Sequence, residues 1–127
     1  MSPELETLTI AELAPRIKSG AVSPVALTEG YLQRIEKLNP LLNAYITVTA
    51  DEALAQAKAA ESEINAGTYR GPLHGIPVGI KDNLATNGIR TTAGSKILSD
   101  WVPDFDATVV TLLKNSGAII LGKTNMH

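Results

Sequence analysis

Apolar positions in the first third of the chain recur at helical spacing. Ile10, Leu13 and Ile17 follow the cap pair Thr9 and Glu12, and Gly20 closes the segment. Pro15 falls beyond the first turn of this helix, where it removes a ladder bond, so a kink or a later start is expected. Ser23 before Pro24 marks a second helix, with Leu27, Tyr31, Ile35 and Leu38 along one face and Asn39-Pro40 as its end. Residues 44–48 hold Tyr45, Ile46 and Val48 and predict a short strand. Thr49, Asp51 and Glu52 then open an Ala-rich third helix. Its small stripe of Ala53, Ala57, Ala60 and Ile64 suits close packing, and Gly67 ends it.

From Gly71 onward the period changes. Pro72 and Pro77 forbid a helix, while Ile76, Val78 and Ile80 alternate with small residues and predict a buried strand over 76–82. Residues 83–103 are rich in turn signals such as Asn87-Gly88, and long loops of this kind usually carry function. Asp106 is the expected N-cap of a helix over 107–115 with a core face of Val109, Leu112 and Leu113, ended by Gly117. Residues 118–121 are an unbroken apolar run, the mark of a strand buried on both faces, and residues 122–127 are expected to begin the next loop. Helices alternating with buried strands indicate an α/β class, mainly helical over 1–66 and strand, loop, helix, strand over 67–127.

Composition then narrows the chemistry. The 127 residues carry 11 basic and 13 acidic side chains, a net charge of −2, which leaves no electrostatic footprint for nucleic acid. No apolar run approaches the roughly 20 residues that span a bilayer, so no membrane partner is expected and the location is predicted as cytoplasmic. The chain has no cysteine, and its two histidines, His74 and the terminal His127, do not make a zinc site alone. No metal and no cofactor are expected. Catalysis would fall to Ser, Thr, Lys, Asp and Glu.

Residues 117–124, GAIILGKT, satisfy the P-loop expression, yet the four residues between the glycines are themselves the predicted strand, and no helix N-terminus follows the lysine. Asp104 and Asp106 are explained by helix capping rather than by a carboxylate pair for glycoside chemistry. Lys81 stands out. It sits at the end of an apolar strand, where its stem either reaches water or stays dry, and spacing favours water. In a dry site a neutral lysine amine can activate a hydroxyl nucleophile. Thr91, Thr92 and Ser95 supply hydroxyls nearby, and spacing does not choose among them.

GPLHGIPVGIKDN at 71–83, TTAGSKIL at 91–98, DATVV at 106–110 and GAIILGKTNM at 117–126 together resemble the N-terminal part of the amidase signature enzymes. The resemblance implies an α/β/α sandwich around a mixed β-sheet, here truncated, with residues 1–127 as an N-terminal fragment of one larger domain. It implies hydrolysis of a carboxamide to a carboxylate and ammonia or an amine, with a small-molecule amide as substrate. The family's catalytic unit is a serine nucleophile, a bridging cis-serine and a lysine, and Lys81 occupies the lysine position. Asp82, Asn83, Thr92, Ser95 and Asn125 fall in segments that surround the family's site. Both family serines belong to a Gly/Ser-rich signature that does not occur in this chain, so the fragment is expected to be inactive alone. An amidotransferase branch shares the fold and the lysine but passes ammonia to a tRNA-linked substrate with partner subunits. The wording Thr92-Ala93-Gly94-Ser95 and Met126-His127 looks more like the free-standing amidases. A third reading is a non-catalytic fragment that forms a homo-oligomer through open strand edges near 76–82 and 118–121.

Overall fold

The cap residues set the start of helix α1 (Ile10–Lys18). Thr9 Oγ1 accepts the Glu12 N–H and the Thr9 N–H donates to Glu12 Oε1, both at 3.2 Å. Pro15 does not delay the start: the helix runs through it, with the proline exposed. Helix α2 (Pro24–Leu42) also begins as expected, with Ser23 Oγ accepting the Ala26 N–H. Its end differs. The helix passes Pro40 and closes at Asn43, whose left-handed backbone (φ 51°) lets its N–H donate to the Asn39 carbonyl at 2.7 Å. The Asn39 side chain meanwhile bonds both backbone groups of Tyr45 and so sets the start of strand β1 (Tyr45–Val48). The structure, a computed structural model, describes residues 5–126, and His127 lies outside the described residues.

Helix α3 (Ala50–Asn65), strand β2 (Pro77–Lys81), helix α4 (Thr108–Asn115) and strand β3 (Ile119–Thr124) follow. The sheet order is β1-β3-β2, with β2 and β3 parallel and β1 antiparallel to β3, a small mixed sheet. This corrects two expectations. Residues 118–121 present no open edge, because β3 is central and paired on both sides. Strand β2 is an outer strand and only half-buried: Ile80 is in the core, whereas Gly79 and Lys81 are exposed.

Apolar burial divides around this sheet. Ala53 and Ala57 have no exposed surface and bring α3 close to Ile119 and Leu121 of β3, with Val25, Leu32 and Ile35 of α2 behind them. Leu13, Ile17, Val22, Leu27 and Ile76 join α1, α2 and the approach to β2. On the far side, Ile80, Ile89, Ile120 and Val110 pack together with Leu113. The core face of α4 is therefore Val110 and Leu113, an i, i+3 pair, while Val109 and Leu112 face out, contrary to the expected stripe. Asp106 does not cap that helix. Ala107 holds the cap position, and Asp106 accepts the Asn87 N–H at 2.7 Å and the Lys114 ammonium at 2.9 and 3.1 Å, tying the long loop to the last turn of α4.

A second tie joins α3 to the β2 approach. His74 is buried, and its Nδ1 accepts the Arg70 N–H at 3.0 Å, which assigns the neutral ring's proton to Nε2, 2.9 Å from Glu63 Oε1. Glu63 also receives Arg70 Nη2 at 2.8 Å. Gly117 (φ +81°) makes this possible, because a Cβ there would stand 2.3 Å from His74 Cδ2. The His74 hydrogen bond, and after it the Arg70 charge, hold the Glu63 carboxyl below the usual carboxylate range against the opposing effect of burial. A lowered folded-state value means stabilisation that is present above the unfolded value and lost as pH falls through the folded one. The unfolding midpoint is expected to drop as pH falls through and below the ordinary carboxylate range, and Glu63→Gln should flatten that slope in pH-dependent thermal denaturation.

Candidate active site

In open α/β sheets, ligands bind beyond the carboxyl ends of the parallel strands. Here those ends are Lys81 of β2 and Thr124 of β3, which are register partners. Alternation along β2 puts Lys81 on the face of Gly79, where an added Cβ would meet Tyr45 Oη at 2.7 Å and Thr124 Cγ2 at 2.9 Å. The Lys81 side chain is exposed among the described residues, so the stem reaches water as spacing favours. Asp82 points the other way and is buried (1% exposed).

Asp82 organises the loop that follows. Its Oδ2 accepts both the N–H of Thr92, at 3.1 Å, and the Thr92 hydroxyl, in a short contact. Its backbone is held as firmly: the Asp82 N–H donates to the Thr124 carbonyl and the Ala93 N–H donates to the Asp82 carbonyl, both at 3.0 Å. Thr92 is thereby seated beside the end of β2. Ala93 takes a left-handed conformation (φ 50°), uncommon for a residue with a Cβ, and Gly94 (φ 70°) continues the turn to Ser95. Ser95 is half-buried, and its hydroxyl accepts the Ile97 N–H. Asn83 is exposed in the turn after Lys81. Asn125, directly after Thr124, sends its Nδ2 to the Asn43 carbonyl at 3.1 Å and so braces the α2–β1 turn. The structure thus joins Asp82 and Thr92 next to Lys81, while Ser95 and Asn125 spend their polar atoms on turns.

The residue that sequence reasoning missed is Lys123. Strand β3 does not end at Leu121 but runs through Gly122, Lys123 and Thr124, and the Lys123 side chain has no exposed surface. Its Nζ donates to the Leu84 carbonyl at 2.7 Å and to Thr91 Oγ1 at 2.8 Å, and lies 4.0 Å from Asp82 Oδ1. Burial pulls the Lys123 ammonium below its ordinary value, and the Asp82 charge works against that. A register shift explains how a lysine came to lie inside. Val78 pairs with Ile120 but Gly79 with Gly122, so Leu121 is an extra residue on β3, and the parity of everything after it reverses. Lys123 then pairs with Ile80 and falls on the Ile120 face, under the 83–103 loop, instead of on the α2–α3 face with Leu121. The sequence signal was the string Gly122-Lys123-Thr124-Asn125 directly after an apolar run, a string whose polar character predicts a loop.

The P-loop expression is likewise resolved, since residues 119–124 are strand, with a turn at Gly117 before them. Among the described residues no group of three His, Asp or Glu side chains could hold a metal ion, and no helix is long and apolar enough to cross a membrane.

Comparison with known proteins places this geometry. A family model described as Amidase matches residues 26–127. A glutamyl-tRNA(Gln) amidotransferase subunit of Geobacter metallireducens is 53% identical over 122 residues, covering 96% of this chain and 25% of the relative. The crystal structure of peptide amidase from Stenotrophomonas maltophilia superposes with a TM-score of 0.89 at 42% identity, over 98% of this chain and 26% of that one. An amidase family protein from Bacillus anthracis gives 0.87 at 37% identity, over 97% and 25%. The chain spans about a quarter of the length of the relatives it matches. Its matched segment covers most of its residues and brings the lysine motif to the carboxyl end of a mixed sheet, and the chain belongs to the amidase family.

Proposed function

We propose that these residues supply the general base of an amidohydrolase that cleaves a carboxamide to a carboxylate and ammonia or an amine. The observation that carries this reading is the position of Lys81: it is the last residue of β2, in the family's lysine segment, with its side chain directed out of the core. The two serines of the mechanism belong to a Gly/Ser-rich stretch that is not in this chain. In the complete domain the nucleophilic serine attacks the carbonyl carbon while its proton passes through the bridging serine to the neutral Lys81 amine. Collapse of the tetrahedral intermediate breaks the C–N bond, and the proton returns to the leaving nitrogen. Water then hydrolyses the acyl-enzyme by the reverse relay. Desolvation favours a neutral amine, so the reading requires that the remainder of the domain cover Lys81.

The isolated 127-residue chain is expected to release no ammonia or amine from carboxamides, whereas the complete domain releases it. Serine-dependent turnover by residues 1–127 alone would overturn the proposal. A second reading is favoured by the 53% identity to an amidotransferase component. Under it, the complete protein would release ammonia from glutamine and leave other carboxamides intact; the main reading expects broad carboxamide hydrolysis. Measuring both substrates on one preparation separates the two.

A further inference from the structure

The buried polar group beneath the loop lies outside the proposed proton relay, yet it converges on the strand end that carries the base. We propose that Asp82 and Lys123 form a buried ion pair that positions Lys81, an inference that rests on the reading of Lys81 as the general base. The two side chains are 1% and 0% exposed, and they come from neighbouring strands, Asp82 following the end of β2 and Lys123 within β3.

The side-chain hydrogen bonds of the pair run to two stretches of the loop that follows Lys81. Lys123 Nζ donates to the Leu84 carbonyl and to Thr91 Oγ1, and Asp82 Oδ2 accepts from Thr92 twice. The Leu84 N–H in turn closes the turn on the Lys81 carbonyl at 3.0 Å. Asp82 Oδ1 makes no hydrogen bond and is left facing Lys123 Nζ at 4.0 Å, so the charge of the one is compensated by the other. Without the lysine, a buried carboxylate stands next to Lys81 with no counter-charge. Without the aspartate, Thr92 and Lys123 lose the group that joins loop to sheet. The extra residue Leu121 is the device that turns Lys123 toward this site, and bulges beside active sites commonly re-aim a side chain in this way. Both residues are positioning residues, since neither is exposed to a substrate.

The test uses Asp82→Asn, Lys123→Met and the double variant. Hydrogen exchange on the 127-residue chain reads the clamp at the Asp82, Leu84 and Ala93 amides, with Leu27 and Ala53 in the helices as references. Each single variant is expected to lose about tenfold or more of the protection at the clamp, and the double to lose less, because it removes both charges together. In the complete domain, each single should lower kcat about 100-fold with KM changed less than about threefold, and the double should exceed either single in kcat. The inference is overturned if kcat of the singles stays within about twofold of wild type while Lys81→Met abolishes turnover. It is also overturned if protection falls equally at clamp and reference amides and the double is no better than the worse single. Turnover that survives Lys81→Met overturns the parent reading instead, a result the exchange measurement does not mimic.

Discussion

Replacing Lys81 by methionine is expected to lower carboxamide turnover by the complete amidase domain about 1,000-fold or more while leaving the unfolding midpoint of the 127-residue chain in place. The two halves of this expectation have separate causes. The Lys81 ammonium is exposed and makes no hydrogen bond or ion pair among the described residues, so its loss removes little that holds the fold. Exposed substitutions of this kind stay within about 0.5 kcal/mol. Methionine keeps the length of the stem to Cε, with sulfur in place of Cδ, and lacks the amine. Loss of a general base costs about 100- to 10,000-fold, and a base shared by acylation and deacylation belongs at the upper end. Ammonia release followed alongside thermal denaturation checks both. Retained turnover, or loss of turnover together with loss of folding, would each refute the assignment of Lys81 as a base outside the folding core.

Gly122→Ala is expected to destabilise the chain by about 3 kcal/mol or more, lowering the unfolding midpoint by roughly 10 °C. A Cβ at this position would stand 2.1 Å from the Thr47 carbonyl oxygen and 3.0 Å from Val48 Cα, both backbone atoms of β1. No side chain can swing away to relieve the contact. Strand β1 would have to separate from β3, and the pairings of Tyr45 with Thr124, Thr47 with Lys123 and Val48 with Gly122 would loosen together. Gly88→Ala is the control. Gly88 also has a positive φ (+77°), but nothing lies within 4 Å of an added Cβ, so only the backbone term of about 1 kcal/mol applies. Thermal or denaturant unfolding of the two variants should therefore differ severalfold in ΔΔG, and equal losses would show that conformation rather than the β1 contact dominates.

Much of the local structure was legible from residue types because its causes are local. Thr9 with Glu12, Ser23 with Pro24, and Gly67 after the Ala-rich segment mark helix ends through atoms only a few residues apart. Prolines were harder to read. Pro15 and Pro40 each forgo one helical bond, yet both helices continue, held by the packing of Leu13, Ile17 and Leu27 in the first core cluster and by the Asn43 closure. Asp106 looked like a cap because its sequence neighbours permit that. Its partners, Asn87 and Lys114, are 19 residues before it and 8 after it, and no local pattern chooses them.

Sequence alone carried the resemblance to the amidase family, through four motifs, and it singled out Lys81 as the residue on which the proposed chemistry rests. Tertiary structure decided what lies beside it. One extra residue at Leu121 reverses the parity of β3, and a side chain whose polar neighbours predict a loop is instead buried against Asp82. Helix caps depend on neighbours in the chain, whereas the face a strand residue occupies depends on the register with its partners. That register is settled only when β1, β2 and β3 pair.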